Sequence, residues 1–179
     1  MSLTLATLLP GLVLIALGLL FLINHAAVTT SIKRLPRSRT AAIVFFGLGA
    51  AWFLYRVWHL SEADFGQYRV QLFFFFLVVA AAAFVVVPDF LAVRGLAVLT
   101  LLVATPLLDA AYMEYHLPQR LFMVTAVFVA VALAIYLGAS PFRLRDFFEW
   151  LYRRPQRARV LGAALAGYGV LLSIVAFTY

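Results

Sequence analysis

The chain has 179 residues, 66% of them apolar and only 12% charged, and a formal net charge of +7. A soluble domain carries about 25% charged and 45–50% apolar residues, and a water-soluble core of this length could not hide so much apolar surface. That excludes a soluble enzyme, a nucleic-acid reader and a disordered linker, and makes the lipid bilayer the expected solvent and partner. Cysteine is absent, which removes disulfides, thiolate metal sites and cysteine nucleophiles.

A helix needs roughly 17–25 mostly apolar residues to cross about 30 Å of hydrocarbon. Six segments qualify in chain order, at about 4–28, 40–60, 70–87, 95–113, 120–138 and 159–178. They predict an all-α, polytopic transmembrane bundle of six spans. Five spans is the fallback, if the third and fourth merge; Pro88, Asp89 and Arg94 between them argue against it. The first segment has no positive residues ahead of it and a long apolar run, so it is read as a span rather than a cleaved leader.

Charge orients the bundle. Lys33, Arg34, Arg37 and Arg39 lie between spans one and two, and Arg94 between three and four. Arg143, Arg145, Arg153, Arg154, Arg157 and Arg159 lie between five and six. These are eleven of the fourteen basic residues; only Arg56, Arg69 and Arg120 fall on the other side. The positive-inside rule then places the basic connections in the cytoplasm and both termini outside. The expected location is a multi-pass protein of a bacterial inner membrane.

The chain is expected to form one transmembrane domain, 1–179, with a short amphipathic interfacial helix at about 141–153. Within that helix Leu144, Phe147, Phe148 and Leu151 share one face, and Arg145, Asp146 and Glu149 the opposite one. Glu149 and Arg153 have the spacing of an i,i+4 ion pair. The basic connections also rhyme. Pro36-Arg37-Ser38-Arg39 feeds span two and Pro155-Gln156-Arg157-Ala158-Arg159 feeds span six. Gly47 and Gly49 follow the first at the same offsets as Gly167 and Gly169 follow the second. A repeat of two-helix hairpins accounts for this, with chance as the rival account.

Small residues mark close contact between membrane helices. Gly47, Gly49, Gly162, Gly167 and Gly169 are the candidates for such packing. Ionisable groups within spans are costly and become functional candidates for that reason. Arg56 lies about 24 Å up span two and Asp109 about 21 Å up span four at 1.5 Å per residue, so the two reach similar depth and are candidates for an intramembrane ion pair or gate. Pro106, three residues before Asp109, permits a kink. His59, His116 and Glu114 gather in the outer connections as candidate pH-responsive groups. No metal or cofactor is expected: no metal-ligand spacing motif is present, the histidines fall near span ends, and the only lysine, Lys33, is in a connection.

The stretches Leu17-Gly18-Leu19-Leu20-Phe21-Leu22-Ile23-Asn24 and Arg39-Thr40-Ala41-Ala42-Ile43-Val44-Phe45-Phe46 resemble the corresponding helices of the amide/urea channel family. The resemblance covers about a tenth of the chain and implies six spans, outside termini and a repeated hairpin. The family's Trp-rich and Glu-bearing fifth and sixth helices have no counterpart here, so no functional residue is carried over.

Two functions remain. One is a narrow channel or small-solute transporter, forming a homo-oligomer. The alternative is a non-catalytic membrane subunit or scaffold with a membrane-protein partner. An enzyme is not expected. The sparse polar residues of the spans favour the second, the self-contained bundle the first, and the balance falls narrowly to transport.

Overall fold

The computed structural model describes residues 1–179. The chain is helical throughout, with eight α-helices: α1 (Leu3–Ile23), α2 (Ala26–Arg34), α3 (Arg39–Trp58), α4 (Arg69–Val86), α5 (Leu91–Ala111), α6 (Arg120–Ala139), α7 (Phe142–Tyr152) and α8 (Pro155–Ala176). Six of them, all but α2 and α7, are long and apolar enough to cross a membrane, α4 with the turn that precedes it.

Three helix boundaries differ from the sequence reading. The first span stops at Ile23 rather than running to 28, because Asn24 takes a left-handed conformation (φ 43°) and ends the helix; asparagine tolerates that region better than most residues. The residues beyond it re-form as α2, a short helix that the apolar run Ala26-Ala27-Val28 concealed. The ring Nδ1 of His25 accepts from the Ala27 N–H at its start, 3.3 Å away. The other two differences are early starts. The fifth helix begins at Leu91 and the eighth at Pro155, where proline at the first helical position gives up only an N–H that has no helical partner.

The chain divides into two compact units. The first comprises Met1–Lys33, Val103–Leu133 and Arg145–Tyr179. Its frame is an antiparallel pair, α1 against α8, in which glycines at seven-residue spacing face one another: Gly11 and Gly18 on α1, Gly169 and Gly162 on α8. A Cβ at Gly18 would lie 2.6 Å from the Gly162 carbonyl oxygen, and one at Gly169 would lie 2.6 Å from that of Gly11. The backbones themselves are therefore in contact, which is how membrane helices gain dispersion energy when the hydrophobic effect offers little. Beside this pair, Ala104, Leu107 and Ala111 of α5 and Met123 and Val127 of α6 pack with Ala6 and Leu172 in one buried cluster. A second cluster seats α7: Leu151 is buried with Phe21 and Ala158, and Ile32 of α2 packs against them.

The second unit comprises Arg34–Leu102 and Ala134–Leu144. Helices α3 and α4 form an antiparallel hairpin zipped by edge-to-face aromatic pairs: Phe46–Phe84 at 5.3 Å, Phe53–Phe76 at 5.0 Å and Trp58–Phe73 at 5.3 Å between centroids. Of the four phenylalanines at 73–76, two thus face α3, whereas Phe74 and Phe75 are exposed. The first half of α5 runs parallel to α3. Leu91 and Ala92 pack on Ala42, and Gly95 meets the backbone of Phe45 and Phe46.

Candidate functional site

The glycines singled out from sequence have different surroundings. Gly162 and Gly169 stand in the α1–α8 contact, and Gly49 packs toward Val98, 3.2 Å from its would-be Cβ. Gly47 and Gly167 open onto space, with nothing within 4 Å of a built Cβ. The partners of Gly162 and Gly169, Gly11 and Gly18, escaped the sequence reading. Their signal was present: glycines seven apart in the first span match glycines seven apart in the last.

Arg56 lies in the last turn of α3, in the second unit, and Asp109 in the last turn of α5, in the first. Both are exposed, and neither side chain has a hydrogen-bond or ion-pair partner within its own unit. Pro106 lies inside α5 one turn before Asp109. Among the outer connections, His116 Nε2 is 3.6 Å from Glu114 Oε2 in the first unit, an ion pair only when the imidazole is protonated. His59 belongs to the second unit, where its Nδ1 lies 2.8 Å from the Tyr55 carbonyl and its ring rests 4.2 Å from that of Tyr55.

The helix predicted at 141–153 is present as α7, and its charges pair otherwise than the spacing suggested. Arg145 takes both acids: its guanidinium lies 2.7 Å from Asp146 and 3.9 Å from Glu149. The expected Glu149–Arg153 pair does not form, because α7 ends at Tyr152 and Arg153 leaves helical register. The hydrogen bond and charge of Asp146 raise the Arg145 pKa further. On the inner side of α7, Tyr152 rests on Phe21 at 6.3 Å between ring centroids and under the Lys33 ammonium, 5.6 Å above its ring. Its hydroxyl is buried without a hydrogen-bond partner, and burial pushes its pKa up. The turn into α8 is held by Arg157, which donates to the Trp150 carbonyl at 3.1 Å and stacks 4.4 Å above the Trp150 ring.

Four hydroxyls of the long helices are bonded at home, whereas Thr105 and Thr125 are exposed and make no hydrogen bond. Thr100 donates to the Leu96 carbonyl at 2.8 Å and Ser173 to that of Gly169 at 2.9 Å. Tyr168 donates to the Phe122 carbonyl at 2.9 Å, and the buried Thr7 hydroxyl donates to the Tyr179 hydroxyl at 3.4 Å. In hydrocarbon such bonds are the means by which a hydroxyl is tolerated at all. With this geometry in hand, comparison with known proteins returns no match to a protein family, to a curated protein or to a solved structure.

Proposed function

We propose that the chain is a non-catalytic subunit or scaffold of a larger membrane complex, lying in a bacterial inner membrane with its basic connections in the cytoplasm. The observation that carries this reading is the pairing of four span hydroxyls, with only Thr105 and Thr125 of the mid-span threonines left exposed and unbonded. Thr7, Thr100, Tyr168 and Ser173 each donate to an acceptor within their own unit. A channel or transporter works through polar groups turned toward a shared path, replacing the hydration of the solute. A scaffold needs none, and offers partners the outer faces of its apolar helices. Helix α4 supplies such a face: none of the residues in its membrane-length window is buried. The test is the mass of the complex extracted from its native membrane in mild detergent. A second polypeptide in fixed stoichiometry is the expected result. A homo-oligomer alone, with solute flux after reconstitution, would overturn the reading.

The transport reading keeps one observation of its own. Asp109 stands exposed one turn beyond Pro106, a carboxylate beside a helix-bending residue, where a proton or cation could be handled. Orientation is checked separately with two exposed glutamines. In intact cells, a cysteine at Gln156 is expected to resist membrane-impermeant thiol reagents and one at Gln67 to react. The opposite pattern would invert the topology.

A further inference from the structure

We propose that the groove where α7 turns into α8 is a binding site for one anionic phospholipid, with its phosphate on Arg154 and Arg157 and an acyl chain along Val160 and Ala164. The proposal does not depend on the subunit reading. The groove has a volume of about 550 Å³ and is lined by Phe147, Trp150 and Leu151 of α7 and by α8 as far as Ala164. Its lining changes character along α8. Arg154, Gln156 and Arg157 stand at one end, and Val160, Leu161 and Ala164 continue from them. From Arg157 to Ala164 the helix rises about 10 Å at 1.5 Å per residue. In a bilayer that carries the groove from headgroup level into the acyl region, the polarity profile of a lipid molecule.

The charge balance selects the headgroup. No carboxylate lines the groove. The two acids of α7, Asp146 and Glu149, both face Arg145. The Arg154 side chain makes no hydrogen bond or ion pair. Arg157 uses one donor on the Trp150 carbonyl, and a guanidinium carries five, so it retains donors for a phosphate while the Trp150 ring fixes its plane. Two arginines without counter-ions at the mouth of an apolar groove fit a phosphodiester carrying net negative charge. A zwitterionic lipid brings its own cation and loses that advantage.

Trp150 is the reporter. With Trp52 and Trp58 changed to phenylalanine it is the only tryptophan. The protein is reconstituted in phosphatidylcholine nanodiscs containing a minor, equal fraction of either brominated phosphatidylglycerol or brominated phosphatidylcholine. Quenching of Trp150 is expected to favour the glycerol lipid, by about fivefold for each arginine at the surface. R154Q, which breaks no bond in the protein, should reduce that preference about fivefold, and V160F should weaken quenching by both lipids by filling the apolar end. R153Q, outside the groove, should leave the preference in place. Equal quenching by the two lipids would overturn the proposal. So would an R153Q effect as large as that of R154Q, because the preference would then belong to the basic surface in general.

Discussion

Replacing Gly18 with valine is expected to lower the stability of the protein in detergent by about 3 kcal/mol, the upper part of the range for overpacking. The reason is that the new atoms would meet backbone. A Cβ alone at Gly18 would stand 2.6 Å from both the Gly162 carbonyl oxygen and the Ala166 nitrogen. No side-chain rotation relieves that, so α1 and α8 must separate and give up the close packing between them. Gly162→Val and Gly169→Val should behave alike, since their Cβ atoms would press on the Gly18 and Gly11 carbonyls at 2.7 and 2.6 Å. Gly167→Ala is the control. Its Cβ meets nothing within 4 Å, and removing a helical glycine should leave stability unchanged or raise it by about 0.5–1 kcal/mol. The measurement is reversible unfolding in mixed detergent micelles. Equal losses at Gly18 and Gly167 would mean that α1 and α8 do not meet along this line.

Arg120→Ala is expected to cost about 2 kcal/mol, in the range of a hydrogen bond to a charged group. Ala111 ends α5, so its carbonyl has no helical donor. Arg120, at the start of α6, fills that place with an N–H 2.6 Å away and lays its guanidinium 4.7 Å above the Tyr115 ring. One side chain thereby clamps the connection between two long helices at both ends. Arg120→Lys keeps the charge without the planar fork and should recover only part of the loss, whereas Arg120→Gln keeps a donor without the charge. The same unfolding measurement separates the three. Wild-type stability in Arg120→Ala would show that solvent, not Arg120, satisfies the end of α5.

The six long helices and α7 were legible because length, apolar content and a two-faced pattern are local properties of the chain. The short α2 was not, since Ala26-Ala27-Val28 extends the apolar count of the first span and the left-handed turn at Asn24 leaves no mark in hydropathy. Which glycines touch a neighbour was harder still. Gly167 and Gly169 stand two residues apart in α8 with opposite surroundings. A helix apolar on every side gives no pattern by which to tell its packed face from its lipid face. The zipped faces of α3 and α4 were hidden for the same reason: Phe73 and Phe76 differ from Phe74 and Phe75 only in what lies opposite. The groove escaped notice because it exists only once α7 folds back on α8, and because Glu149 was assigned to Arg153. With Glu149 on Arg145 instead, the arginines that follow α7 are left without counter-ions.

The antiparallel glycine contact joins the first long helix to the last, and this bears on biosynthesis. Gly18 and Gly162 are separated by roughly 140 residues of chain, which at about 5–20 residues per second take roughly 7–30 s to synthesise. For all that time α1 is in the membrane with its bare backbone groove unmatched, while every intervening span is made and inserted. The first unit can close only once α8 has been made. A chain truncated before α8 would therefore keep a permanently unfilled seam, a surface for quality-control proteases or insertion chaperones to grip. Pairing α1 with α8 conceals that seam.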